Sequence, residues 1–251
     1  MLEKCLDLKS KNSSFKMILK IPGLIENNIC IRGGWETGLA NLMLSMAGNS
    51  NTVIDIGANI GYHTLYLASS AGDVRCIGFE PNPGIYEEFK RNIGINGFAN
   101  VTAYPYAVGD KCGVTEFYAT NETAVNRGLS AINCPGNGSG YSKITVKLIT
   151  LDSFLDDAAK ENTRVLKIDA QGYEYQVISG ALDLIKKSQP VIFMEYHEES
   201  EKTPREIFDL IPDYRIFTVD AWSGEVKEYE KSDNKCCTDF LCVPPRVDFL
   251  G

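Results

Sequence analysis

Strand-like and helix-like patterns alternate along most of this chain of 251 residues. Apolar runs such as "VIDIG" (53–57), "VRCIGFE" (74–80) and "VLKID" (165–169) are typical of buried strands, and a helical pattern follows each one. A chain that repeats strand and helix in this way forms a mostly parallel sheet with helices on both faces. The sequence therefore predicts an α/β fold in a single domain over 1–251, with its core at 51–251.

Several segments carry more specific expectations. Residues 1–50 are predicted to form a strand and helix extension that contributes to the substrate side, with a helix from Thr37 to Gly48. "NVTAYPYAV" (100–108) predicts one strand, and the apolar face of 172–187 predicts one helix. The glycine-rich "NCPGNGSGYS" (133–142) predicts a mobile loop.

Charge and hydropathy exclude some classes of partner. The chain has 33 acidic residues against 25 Lys and Arg, a formal charge of -8, and no basic run, so we expect no nucleic acid partner. A neutral or cationic small substrate is easier to reconcile with this charge. The first twenty residues are interrupted by charged side chains, and the uncharged run 37–54 contains polar residues, so we expect neither a signal peptide nor a membrane span.

The eight cysteines are scattered and include no CxxC pair, which argues against zinc-finger and thioredoxin-type sites. We therefore expect reduced thiols and a cytoplasmic protein. Cys236, Cys237 and Cys242 are close enough in sequence to bind a metal or to oxidise, but Cys242 lies in "DFLCV", which predicts a buried strand.

The stretch "VIDIGANIG" (53–61) predicts a ligand-binding turn. In open α/β sheets, ligands bind where strands end at their carboxyl edge, and glycine there lets the backbone approach the ligand closely. The stretch is not the dinucleotide fingerprint, because that pattern would require glycine at the positions of Asn59 and Tyr62.

Two acidic residues refine this interpretation. Asp55 precedes the first glycine and could face a ligand's ammonium group, while Glu80 ends the next strand and could accept both hydroxyls of a ribose. A nucleoside that carries an amino acid suits this pair better than a dinucleotide does, which indicates S-adenosylmethionine. The alternative for Asp55 is a structural or helix-capping carboxylate.

Six motifs in order also resemble one known family, the FkbM-type methyltransferases. The resemblance covers roughly 35–198, and "DFLCVP" (239–244) is similar to the family's closing strand. The motifs are "VIDIGANIGYHTLYLA" (53–68), "IGFEPNP" (77–83), "AVGD" (107–110), "ITLDSF" (149–154), "LKIDAQGYE" (166–174) and "PVIFMEYHE" (190–198).

This resemblance implies a class I methyltransferase, Rossmann-like fold, with a mostly parallel seven-stranded sheet whose last strand is antiparallel. It implies methyl transfer from S-adenosylmethionine to a hydroxyl of a sugar, such as a deoxysugar or glycan unit, or of a natural product. The acceptor would be a small molecule or a glycan, and the protein could belong to a larger glycosylation system.

Carried over to this sequence, the family pattern assigns the cofactor to the turn, to the end of the second strand and to the third strand. The predicted cofactor-binding residues are Asp55, Gly57, Ala58, Asn59, Gly61, Tyr62, Glu80, Pro81, Asn82, Tyr106, Ala107 and Asp169.

The candidate catalytic residues follow the fourth and fifth strands of the pattern. Glu195 and His197 are two apart on a strand and so project to the same face. We expect His197 to be the general base, with Asp169 or Glu195 orienting it, and Lys167 either catalytic or a structural ion-pair partner. Asp169, Glu195 and His197 could also bind a divalent metal such as magnesium or manganese.

The acceptor is expected to contact residues from four parts of the chain. Trp35 and Glu36 precede the first core strand, His63 is the main rival of His197 as a base, Ser130 lies in a loop (121–142) that could act as a lid, and Glu174 could instead complement a helix dipole. Two other functions stay open at this point. They are a nicotinamide-dependent oxidoreductase and a non-catalytic sugar-binding protein with the same fold.

Overall fold

The structure is a computed structural model that describes residues 2–121, 124, 126–133, 140–197, 200–229 and 238–249. Its strands are β1 (Leu2–Lys9), β2 (Ser14–Ile21), β3 (Thr52–Ile56), β4 (Arg75–Phe79), β5 (Val101–Tyr104), β6 (Tyr106–Val108), β7 (Gly113–Thr120), β8 (Tyr141–Ile149), β9 (Thr163–Ile168), β10 (Val191–Tyr196), β11 (Arg215–Val219), β12 (Val226–Glu228) and β13 (Thr238–Val243).

The helices begin at the positions that capping chemistry favours. The Asn82 side chain accepts a hydrogen bond from the Gly84 N–H at 3.0 Å, and Pro83 occupies the first helical position of α4 (Pro83–Asn96). The helices are α1 (Leu24–Arg32), α2 (Thr37–Ala47), α3 (Tyr62–Ser70), α4 (Pro83–Asn96), α5 (Leu151–Phe154), α6 (Asp157–Asn162), α7 (Glu174–Ser179), α8 (Leu182–Ser188) and α9 (Pro204–Phe208).

The main sheet has the strand order β12-β11-β13-β10-β9-β3-β4-β5. Strands β5, β4, β3, β9 and β10 are parallel, and β13 runs antiparallel between β10 and β11. The predicted α/β fold with a mostly parallel sheet is confirmed, and the last strand, β13, is antiparallel. In the described part of the chain this sheet has eight strands where seven were predicted, because the short strand β12 is added at one edge.

The strand order reverses between β3 and β9. From β3 the chain proceeds outward to β4 and β5, and it then returns to place β9 on the other side of β3. Ligands of open α/β sheets bind beyond the carboxyl ends of the strands at such a switch point. Residues that follow β3, β4, β9 and β10 are therefore in position to share one site.

A buried ion pair joins β3 to β9 at this point. Asp55 and Lys167 are register partners, and the Lys167 Nζ lies 3.2 Å from the Asp55 Oδ1. The Thr64 hydroxyl donates to the other carboxylate oxygen of Asp55 at 2.6 Å. Both charged side chains are almost completely buried, so each depends on the other for charge compensation.

Two elements that the sequence predicts as continuous are each divided into two in the structure, so these two predictions are wrong. The segment 100–108 forms β5 and β6, which belong to different sheets, because Pro105 between them has no N–H for a strand ladder. The segment 172–187 forms α7 and α8, which separate at Gly180. A Cβ at Gly180 would overlap the carbonyl oxygen of Gly109, so the chain bends where the two backbones touch.

Two smaller sheets flank the main one. Strands β1 and β2 form a hairpin whose apolar side chains pack against α3 and α4, with Phe15 edge-to-face against Tyr62 and Tyr66. Strands β6, β8 and β7 form the other sheet, near the carboxyl edge of the main one. The predicted loop at 133–142 and the cysteines at 236–237 fall mostly outside the described residues, while Cys242 is buried in β13 as predicted.

The Asp55–Lys167 pair predicts a non-additive effect on stability. Asp55→Asn and Lys167→Met each leave one buried charge uncompensated, so each should lower the free energy of unfolding by about 3–5 kcal/mol. The double variant should lose less than the sum by ~2 kcal/mol, because neither charge remains. Urea denaturation measures these differences, with Asp209→Asn at an exposed carboxylate as the control. Additive losses would contradict energetic coupling between the two side chains.

Two glycines packed differently provide a second test of the fold. A Cβ at Gly78 in β4 would lie 2.6 Å from the ring of fully buried Phe89, so Gly78→Ala should cost about 1–3 kcal/mol through overpacking. Gly94 in α4 is exposed and would have nothing within 4 Å, so Gly94→Ala should stabilise by up to ~1 kcal/mol. Thermal denaturation compares the two variants, and a shift of equal sign in both would refute this packing argument.

Candidate active site

The glycine turn between β3 and α3 has a backbone that side chains would disturb. Gly57 has a φ of 72°, and a Cβ there would overlap the carbonyl oxygen of Asp169. Gly61 has a φ of 91°, and its Cβ would overlap the ring of Phe89. Asn59 also has a positive φ, 51°. Glycine is therefore required both for the turn and for its close approach to the end of β9.

Glu80 is held rigidly beside this turn. Its Oε2 accepts the backbone N–H of Asn59 at 3.0 Å, and its Oε1 accepts the backbone N–H of Asn82 at 2.8 Å. Burial raises the pKa of Glu80 to about 7, although both backbone donors act to lower it. Each carboxylate oxygen has a second lone pair, so Glu80 can accept two further hydrogen bonds.

A first cavity of about 580 Å³ lies against Glu80 at the carboxyl ends of β3 and β4. Seven of the predicted cofactor residues line it: Gly57, Asn59, Glu80, Pro81, Tyr106, Ala107 and Asp169. Its other walls are mostly apolar or aromatic, and they include Phe79, Val108, Phe117, Ile132 and Tyr173.

Other predicted cofactor residues lie elsewhere. Asp55 is not on the cavity wall, because its carboxylate is paired with Lys167 inside the sheet. Asn82 contributes its backbone to Glu80, while its side chain donates to the Ser130 hydroxyl at 3.1 Å. Gly61 packs on Phe89 and lines neither cavity described here.

A second cavity of about 650 Å³ adjoins the first. Both cavities are lined by the same five residues along their common boundary: Gly57, Asn59, Gly128, Asp169 and Gln171. Most residues predicted for catalysis or for the acceptor line the second cavity: Trp35, Glu36, His63, Lys167, Asp169, Glu195 and His197, as do Ala58 and Tyr62. Ser130 lines the first cavity instead, and Glu174 lines neither, because it is buried behind the walls.

Asp169, Glu195 and His197 form a cluster on the wall of the second cavity. The His197 Nε2 lies 3.3 Å from the Glu195 Oε1, and the Asp169 Oδ1 accepts a hydrogen bond from the Gln171 side chain at 2.7 Å. Candidate ligand atoms of the three residues lie within 4.8 Å of one another. Since Asp169 also lines the first cavity, the cluster reaches the boundary between the two spaces.

The electrostatics of this cluster are strongly coupled. Burial raises the pKa of Asp169 well above its usual range, and the negative charge of Glu195 raises it further. Burial acts to lower the pKa of His197, but the hydrogen bond and charge of Glu195, together with Asp169, raise it to about 10. The histidine is therefore protonated at neutral pH, a state in which it cannot accept a proton.

Glu36 and His63 form a second pair on the same cavity. The Glu36 Oε2 lies 3.0 Å from the His63 Nε2. Glu36 precedes α2 with a φ of 44°, in the left-handed region that most residues avoid. A carboxylate bound to one ring nitrogen fixes the orientation of the imidazole, so this pair is rigid.

Arg127 is a site residue that the sequence interpretation missed. It lines the first cavity and is 5% exposed, and its guanidinium forms ion pairs with Glu88 from α4 and Glu26 from α1. The next residue, Gly128, packs against Asn59 of the glycine turn and separates the two cavities. Arg127 lies in a loop rich in small polar residues, which has no periodic pattern, and its acidic partners are distant in sequence.

Comparison with known proteins identifies the family. Residues 55–216 match the methyltransferase FkbM domain. The hexuronic acid methyltransferase AglP of Haloferax volcanii is 24% identical over 73% of this chain and 70% of its own. The 2-O-methyltransferase NoeI of Sinorhizobium fredii is 26% identical over 65% of this chain and 72% of its own. A solved FkbM methyltransferase from Methylobacillus flagellatus aligns with a TM-score of 0.47 at 15% identity, over 77% of this chain and 43% of that one.

These findings decide between the functional classes left open by the sequence. The family match does not support the nicotinamide-dependent oxidoreductase or the non-catalytic alternative. In the described part of the chain, no helix has the length and apolar character needed to cross a membrane. With the matched domain covering most of the chain, this protein is a methyltransferase of the FkbM family.

Proposed function

We propose that the protein transfers a methyl group from S-adenosylmethionine to a hydroxyl of a sugar unit or a natural product. The observation that carries this proposal is the meeting of two cavities at Asp169. One cavity contains a carboxylate suited to a ribose, and the other combines apolar and ionisable walls. A donor and an acceptor placed in them would meet at the shared boundary.

The first cavity fits the donor on two observations. Glu80 is fixed by two backbone donors and keeps one lone pair on each oxygen, which matches the two hydroxyls of a ribose. Gly57, which has no side chain, lines the same cavity and leaves the backbone of the turn open to a ligand. We assign Tyr106 and its apolar neighbours to the adenine, and the turn at Gly57 and Asn59 to the amino acid end. When bound, S-adenosylmethionine supplies a methyl group activated by a sulfonium.

The second cavity fits a sugar because its walls differ in polarity. Trp35, packed edge-to-face against Trp222 at 5.6 Å, adjoins aliphatic side chains of α1, and the opposite side carries Glu36, His63 and the Asp169 cluster. Sugars have apolar C–H faces and polar hydroxyl edges, which such a site can hold in one orientation. We also propose that the chain forms a single domain in which residues 1–50 contribute to the substrate side. Trp35 and Glu36 on the wall of this cavity support that contribution.

The names of two relatives agree with a sugar acceptor. One is called a hexuronic acid methyltransferase and the other a 2-O-methyltransferase. Both share only about a quarter of their aligned residues with this chain, so they indicate a class of acceptor and not a particular sugar.

The chemistry requires alignment and removal of one proton. The acceptor oxygen forms a bond to the methyl carbon while the carbon–sulfur bond breaks, and the hydroxyl proton passes to a base. We assign the base to Asp169, because its carboxylate borders both cavities, where the donor and the acceptor would meet. Protonated His197 would stabilise the neighbouring carboxylates, and Lys167, bound to Asp55, would help to fix Asp169 at 3.9 Å.

Methyl transfer is tested directly with glycosides of deoxyhexose, hexose and hexuronic acid. Incubation with S-adenosylmethionine should add one methyl group to at least one of them, as detected by mass spectrometry. Asp169→Asn should lower kcat by about 10²- to 10⁴-fold while S-adenosylhomocysteine still binds. Asp209→Asn, far from the site, should be fully active. Binding of S-adenosylhomocysteine without transfer to any glycoside would contradict the sugar acceptor.

Cofactor affinity should depend on pH through Glu80. Its pKa of about 7 means that the carboxylate is largely protonated below pH 7, and accepting both ribose hydroxyls then requires release of that proton. Affinity for S-adenosylhomocysteine should therefore rise by up to about tenfold per unit as pH increases toward 7, and level off above it. Calorimetric titration of Glu80→Gln, which cannot ionise, should give weaker binding without this slope. An equal slope in both proteins would assign the pH dependence to another group.

A further inference from the structure

Three side chains of metal-binding type converge at the boundary of the two cavities. Asp169 follows β9, Glu195 lies in the adjacent strand β10, and His197 follows β10. Their candidate ligand atoms lie within 4.8 Å of one another. Ligand atoms that share one ion at bond lengths near 2.1 Å are about 3–4 Å apart, so a movement of less than about 1 Å would bring all three into coordination.

The surroundings of the cluster contain more carboxyl groups than basic side chains. Glu36, Asp55, Glu174 and Asp239 carry carboxylates near Asp169 and Glu195, whereas the nearby basic side chains are Lys167, His63 and His197. The Lys167 ammonium is 3.2 Å from Asp55 and only 3.9 Å from Asp169, so its charge is largely used by Asp55. His63 is engaged by Glu36. The balance leaves an excess of carboxylates around Asp169 and Glu195.

Glu174 provides an independent indication that a cation is needed. This side chain is fully buried, and its Oε1 accepts the backbone N–H of Gly172 at 2.8 Å. Its Oε2 has no hydrogen-bond partner among the residues that the structure describes. The carboxylate acts electrostatically on both His197 and Glu195. A buried carboxylate oxygen that has no hydrogen-bond partner and interacts with a second carboxylate is costly unless positive charge is nearby.

We propose that Asp169, Glu195 and His197 bind one divalent cation on the acceptor side of the boundary. Two carboxylate oxygens and one imidazole nitrogen suit manganese better than magnesium, which prefers oxygen ligands alone. Three protein ligands leave coordination positions open toward the second cavity. Because a ligating imidazole must be neutral, the cation would displace the proton of His197, and the second carboxylate oxygen of Asp169 would remain to accept the hydroxyl proton. The cation would also lower the pKa of an acceptor hydroxyl and offset the surrounding carboxylates. Its role toward an acceptor rests on the proposed function, whereas binding of the cation does not.

Binding is measured by electron paramagnetic resonance, because the signal of free Mn²⁺ decreases when the ion binds. The full chain, freed of metal with a chelator, should bind about one equivalent of Mn²⁺. Glu195→Gln and His197→Gln should each raise the dissociation constant at least ~10-fold. Asp209→Asn, at an exposed carboxylate that lines neither cavity, is the control and should bind Mn²⁺ as the wild type does.

The folded state of each variant is checked by thermal denaturation, and Mn²⁺ should raise the Tm of the wild type but not of Glu195→Gln. Absence of Mn²⁺ binding by the wild type, or equal binding by all variants, overturns the proposal. Titration with S-adenosylhomocysteine separates this result from the proposed function. If the protein binds the cofactor and transfers the methyl group equally well with a chelator present, only the proposed role of the cation is contradicted. If the wild type binds Mn²⁺, the variants do not, and no cofactor binds, the cation site is supported and the proposed function is contradicted.

Discussion

The ion pair between Asp55 and Lys167 is the constraint on which the site depends. It lies where the strand order reverses, and it compensates two charges that are buried inside the sheet. By joining the carboxyl ends of β3 and β9, the pair fixes the starting points of two segments. One is the glycine turn after Asp55, and the other is the segment that begins with Asp169.

Close backbone contact between these two segments creates the division into two cavities. Because Gly57 has no side chain, the turn touches the carbonyl of Asp169, and the Asp169 carboxylate lies at the boundary of both spaces. Gly128 completes the boundary from the other side, held by the ion pairs of Arg127 with α1 and α4. The separation of donor and acceptor in the proposed reaction thus follows from two glycines and one buried arginine.

The charge state of the cluster changes which residue is expected to act as the general base. A histidine two residues from a glutamate on a strand suggests a base with an orienting partner. In the folded protein, the carboxylates around His197 keep it protonated, so the proton acceptor is better sought among the carboxylates themselves. Strand alternation predicted that Glu195 and His197 share a face, but the charge of an imidazole depends on every group that surrounds it.

The sequence by itself determined the α/β class, the glycine turn and Glu80 at the end of its strand, because each follows from spacing between near neighbours. Tertiary structure decided that Asp55 is paired with Lys167, and that Arg127 borders a cavity. It also decided that Pro105 passes the chain from one sheet to another. These outcomes depend on which distant segments meet in the fold. A charge or an N–H group that is buried at such a meeting point without a partner lowers the stability of the folded state.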